Sequence, residues 1–161
     1  MEVPAIIDLE ASGFGRGSYP IEVGVALPNG EIHAILIKPA PSWTHWDEQA
    51  ESIHGISRDY LNENGKTVRE TAIFLNDLLS GMTLYSDAWS FDSSWLGRLF
   101  DEAEIVQRFK LDTITRLLNE QELADWSDIK DRVAGELGLA LHRAANDVKL
   151  LRETFTKVKA S

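Results

Sequence analysis

Apolar residues follow two periods along the chain, and the change of period divides it. Residues 3–9 are an apolar run with β-branched members, which predicts a buried strand. Gly13, Gly15 and Gly17 then make a loop. Residues 21–27 read as a second strand, Pro28-Asn29-Gly30 as a turn, and residues 31–37 as a third strand, so an antiparallel meander is expected. Residues 38–47, with Pro39 and Pro41, read as a surface loop rather than a domain boundary. Beyond it the period becomes helical. Thr67-Val68-Arg69-Glu70 has capping-box spacing, in which a hydroxyl and a carboxylate three residues on exchange hydrogen bonds with free backbone N–H groups. Val68, Ala72, Leu75 and Leu79 continue on one face, and Gly81 suits the stop. Residues 82–85 predict a short buried strand, Trp95, Leu96, Leu99, Phe100 and Ala103 a helix, and residues 106–111 a fifth strand. Ile129, Val133 and Leu137 predict a helix closed by Gly138, and Val148, Leu151, Phe155 and Val158 the last helix. The fold class is therefore α/β, with a mixed five-stranded sheet (antiparallel meander, then parallel strands) flanked by helices.

Composition narrows the function. The 161 residues, 43% hydrophobic, suffice for one domain spanning 1–161 and exclude a disordered chain. Without cysteine there is no thiolate nucleophile and no Cys-ligated zinc. No apolar run approaches the roughly 20 residues of a membrane span, and Met1-Glu2-Val3-Pro4 lacks a signal-peptide layout. A cytoplasmic protein with no membrane partner is expected. The 16 basic against 26 acidic residues give a net charge of −10, which repels a polyanion at long range. A broad grip on nucleic-acid phosphates is thereby excluded; a short segment would need help from a cation.

Chemistry is signalled where acids interrupt the apolar pattern. Asp8 and Glu10 flank Leu9 at the end of the first strand, and side chains two apart on a strand share a face. A pair of unpartnered acids on a central strand is costly, which sets them apart from an ordinary solvated strand end. Asp92 stands in the first turn of the helix marked by Trp95 and Leu99, with Asp87 as a rival; alone, either reads as a cap. His142 and Asp147 are five apart, about 140° around one helix, so they converge only if His142 lies in a loop and Asp147 on the helix. Gly13-Phe14-Gly15-Arg16-Gly17 lacks the Gly-Lys-Ser/Thr ending of a P-loop.

Ile6-Ile7-Asp8-Leu9-Glu10-Ala11-Ser12-Gly13, Phe91-Asp92 and His142 with Asp147 together resemble the three motifs of the DEDD (DnaQ-like) 3′–5′ exonuclease superfamily, in its DEDDh branch. Ile21-Glu22-Val23-Gly24, Ile53-His54-Gly55-Ile56 and Leu111-Asp112-Thr113 match in style, so the resemblance runs from residue 3 to about 155. It implies a ribonuclease H-like fold and two divalent cations, Mg²⁺ or Mn²⁺. Asp8 would bridge them, with Glu10 and Asp147 completing one site and Asp92 holding the other. The charge balance agrees: two carboxylates 4 Å apart repel by about 4 kcal/mol at an effective dielectric near 20, and oxygen ligands favour these hard ions. His142 would be the general base, a task suited to an imidazole's ordinary pKa of about 6.5. The implied activity is hydrolysis of the 3′-terminal phosphodiester of short single-stranded RNA or DNA to nucleoside 5′-monophosphates, with RNA slightly favoured by the style of Asp8-Leu9-Glu10. Ser86 and Asp87 stand where many relatives carry His-Asn, placing an extra negative charge near a substrate phosphate.

Candidate substrate contacts are Leu9, Gly13, His54, Trp89 and Arg16, with Trp43 and Trp46 as further stacking candidates. Trp126 is expected to cover a helix start at Ser127. The resemblance leaves a homodimer open. The competing reading is a non-catalytic adaptor or binding module that retains the exonuclease fold; the presence of all four acids and the histidine counts against it.

Overall fold

A computed structural model describes residues 2–161. Strands β1 (Ala5–Ala11), β2 (Pro20–Ala26), β3 (Ile32–Leu36), β4 (Thr83–Ser86) and β5 (Lys110–Thr113) form one sheet in the order β3-β2-β1-β4-β5. The first three are an antiparallel meander, and β4 and β5 join in parallel, β4 beside β1. The apolar run of β1 suits its position in the middle of the sheet: Ile6 and Ile7 are both fully buried, one on each face.

Helix α1 (Glu48–His54) and helix α2 (Arg58–Asn64) follow the meander, then α3 (Val68–Leu79) and α4 (Trp89–Ala103). Helix α3 begins at the predicted capping box of Thr67 and Glu70. Helices α3 and α4 pack Leu75, Leu79, Leu96 and Leu99 against Ala5, Ile7 and Leu9. Helix α6 (Ala144–Ala160) covers the opposite face, where Val148, Leu151 and Phe155 meet Ile6 and Ala26. Helix α5 (Glu120–Leu137) lies behind it, packing Ile129 and Val133 on Leu150 and Val158. Each fully buried aliphatic side chain of these layers contributes roughly 1.5–3 kcal/mol.

Several boundaries differ from the pattern-based expectation. The first strand runs two residues further, so Asp8 and Glu10 lie within it. The fifth strand starts at Lys110, because the Asn76 side chain bonds Val106 O and Arg108 N and holds the preceding segment in a bend. Helix α5 begins seven residues before Ser127, at a capping box of Asn119 and Glu122; Trp126 therefore sits within the helix and packs inward.

Candidate functional site

The alternation of β1 decides which acids meet. Ile6, Asp8 and Glu10 project to the α6 side, whereas Ile7 and Leu9 enter the core under α3 and α4. Gly24 on β2 is the register partner of Asp8. A methyl group there would lie 2.5 Å from the Ala144 carbonyl oxygen, so only glycine lets the first turn of α6 approach this closely. The approach is fastened by Glu22, a buried carboxylate that accepts hydrogen bonds from Arg143 Nε (3.1 Å), Arg143 Nη2 (3.0 Å) and Ala144 N (2.9 Å). Asp147, in the first turn of α6, is thereby held over β1.

His142 precedes the helix with φ 66°, a left-handed conformation uncommon for a side-chain-bearing residue. Its backbone N–H donates to Asp147 Oδ1 at 2.9 Å. The turn overcomes the five-residue spacing: ligand atoms of Glu10, His142 and Asp147 lie within 4.8 Å of one another. Asp92 arrives from the other layer, in the first turn of α4, and is fully buried; its Oδ2 accepts from Ser86 Oγ at 2.5 Å. Asp8, Glu10, Asp92, His142 and Asp147 all line one cleft of about 340 Å³ beyond the C-terminal ends of β1 and β4.

The electrostatics are unfavourable for the protein alone. Burial, then the charges of Asp92, Asp147 and Glu10, hold the Asp8 carboxyl well above the usual carboxylate range. Burial and a hydrogen bond shared with Asp147 push Glu10 up to about 9. Burial pushes Asp92 up to about 7, against hydrogen bonds from Ser86 and the Leu9 N–H that favour its charged form. Asp8 Oδ2 is buried without a hydrogen-bond partner among the described residues. A carboxylate oxygen left in that state, among three further acids, is the environment a cation stabilises. Carboxylate oxygens with one imidazole beside them fit a hard divalent ion.

Of the other candidates, Leu9, Gly13 and His54 line the cleft, and Arg16 and Trp89 do not. Gly13 packs so tightly that a methyl group would meet Asp47 Cβ at 2.7 Å. His54 accepts the Ile56 N–H at Nδ1 (3.0 Å), so its neutral ring carries the proton on Nε2, which is buried without a partner among the described residues. Burial chiefly lowers its pKa and keeps it neutral. Arg16 is exposed on the loop whose glycines Gly15 and Gly17 both have φ 88°. Trp89 turns to β5, where its indole donates to Leu111 O at 3.3 Å. The remaining tryptophan candidates are also engaged elsewhere: Trp43 is buried against Tyr19, and Trp46 donates to Glu51. The aromatic wall of the cleft is instead Phe14, Phe91 and Trp95. Phe14 and Phe91 are 66% and 48% exposed with ring centroids 5.2 Å apart, and Phe91 stacks on Trp95 at 5.7 Å. Sequence pattern missed the two phenylalanines; the signal lay in a phenylalanine between two glycines and another directly before a candidate acid. It also missed Lys130 of α5, which lines the cleft and pairs with Asp87 at 2.8 Å.

By sequence, no family model and no curated protein matches the chain. Solved structures do match its fold. A product-bound exonuclease I aligns over 70% of this chain at 15% identity and TM-score 0.59, covering 30% of its own length. Exonuclease I from Methylocaldum szegediense aligns over 75% at 17% identity and TM-score 0.58, covering 29% of its own length. E. coli exonuclease I in complex with a dA16 oligonucleotide aligns over 80% at 13% identity and TM-score 0.60, covering 30% of its length. The chain thus spans less than a third of these proteins, and at such identity the likeness is one of fold: the ribonuclease H-like mixed sheet flanked by helices.

Proposed function

We propose that residues 1–161 are a single DEDDh-type exonuclease domain that removes nucleoside 5′-monophosphates from the 3′ end of short single-stranded nucleic acid. The observation that carries this reading is the buried, unpartnered Asp8 Oδ2 in a cleft shared with Glu10, Asp92, Asp147 and His142. The exonuclease I fold, seen elsewhere with single-stranded oligonucleotides, supports it.

Asp8, Glu10, Asp92 and Asp147 would hold two divalent cations, Mg²⁺ or Mn²⁺, which when bound supply Lewis-acid polarisation of the phosphodiester and charge stabilisation of the leaving oxygen. The chain's residues do the rest. Phe14 and Phe91 offer exposed ring faces on which a terminal base stacks. An imidazole nitrogen of His142, exposed at the cleft edge, takes the proton of the attacking water. Oxygen adds to phosphorus, the bond to the 3′ oxygen breaks, and that oxygen picks up a proton to leave a new 3′ hydroxyl. With a net charge of −10 and few cations at the cleft, the enzyme grips a few terminal nucleotides and releases the strand often.

The test uses 3′- and 5′-labelled RNA and DNA oligomers with Mg²⁺ or Mn²⁺. The expected result is stepwise shortening from the 3′ end, faster for RNA, abolished by chelator and reduced at least 100-fold in Asp8→Ala and His142→Ala. Absence of both shortening and cation binding in calorimetry would replace this reading with a non-catalytic module of the same fold.

A further inference from the structure

Asp87 stands at the mouth of a cleft already crowded with acids, where a fifth carboxylate would repel a phosphate. It does not act as a bare charge. Lys130, from the middle of α5, reaches across and donates from Nζ to Asp87 Oδ2 at 2.8 Å. The lysine side chain remains 34% exposed, and this is the one hydrogen bond of its ammonium among the described residues. Two of its three N–H donors are therefore uncommitted on a cleft wall. Lys130 lines the same cleft as Asp8 and Asp147.

Resting on the nuclease reading above, we propose that Lys130 is a phosphate-binding residue of the cleft, contacting a non-bridging oxygen of the terminal phosphate. Asp87 is its positioning residue, orienting the ammonium and adding no net charge as a pair. The geometry gives Asp87 a partner that the sequence pattern did not reveal.

The test measures binding of a nucleoside 5′-monophosphate and of the corresponding nucleoside to the Mn²⁺-loaded protein, by calorimetry, without turnover. Lys130→Gln is expected to weaken monophosphate binding at least 10-fold, the scale of one charge-assisted hydrogen bond. Nucleoside binding stays within twofold, and Lys130→Arg keeps monophosphate binding within about threefold. Because Lys130→Gln strands Asp87, the double variant Asp87→Asn/Lys130→Gln removes both charges together. Persistent loss of monophosphate binding in the folded double variant supports direct contact; recovery to the wild-type value overturns it, leaving the pair a neutral strut. Wild-type monophosphate affinity in Lys130→Gln overturns it equally. A wild-type protein that binds Mn²⁺ and shortens strands while these variants are unaffected defeats only this inference, whereas one that binds neither Mn²⁺ nor monophosphate defeats the nuclease reading as well.

Discussion

At the residue scale, Asp8 combines a cost with a use. Its Oδ2 has no protein partner among the described residues, and four acids, Asp92, Asp147, Glu10 and Asp87, raise its pKa further after burial has done so. Asp8→Asn keeps the shape and removes the charge. In chelator at pH 8 this variant is expected to be more stable than the parent by about 2 kcal/mol, because the parent must either bury an uncompensated charge or take up a proton in order to fold. In Mn²⁺ the order reverses, since the parent gains binding energy that the variant lacks. Urea denaturation under both conditions checks the pair of results; a variant less stable in chelator would show that the parent's carboxylate is already satisfied.

At the scale of elements, the site depends on how closely α6 approaches β2. Gly24 and the Glu22–Arg143 pair set that distance, and Asp147 and His142 inherit it. Gly24→Ala is expected to cost about 2–3 kcal/mol, because its methyl group meets backbone rather than a yielding side chain. Activity on labelled oligomers should fall at least 10-fold below the unfolding temperature; unchanged activity would separate α6 from the chemistry. Legibility followed the same hierarchy. Strand β1, the Thr67 cap and the helix face of Trp95, Leu96 and Leu99 were readable because burial imposes a period and caps require particular side chains. Helices α1 and α2 were not, having seven residues and one buried residue each. The gathering of Asp8 with Asp92 and Asp147 was visible only through resemblance, since it comes from two layers packing on opposite faces of one strand. Lys130 was invisible because a lysine in a polar helix reads as a solvated face until its partner is known.

For the whole molecule, the acids make stability depend on pH with an unusual sign. Glu10 at about 9, Asp92 at about 7 and Asp8 above its ordinary value all bind protons more tightly folded than unfolded. Their stabilising protons are fully present below the unfolded carboxylate range near 4 and are lost as pH rises through the folded values. In chelator, the melting temperature is therefore expected to fall on the order of 10 °C between pH 5 and pH 9, and Mn²⁺ should flatten the curve. Calorimetric scans across that range test it; a chelated protein that gains stability with pH would contradict the crowding of these acids. The central strand also imposes arithmetic on any remodelling of this protein. Its even-numbered side chains belong to one layer and its odd-numbered ones to the other. One inserted residue ahead of Asp8 would swap the allegiance of everything downstream, sinking two carboxylates into hydrocarbon and turning Leu9 toward the α6 side in their place. Changes of length here are tolerable only in steps of two, and even those would slide the acids out of line with α4.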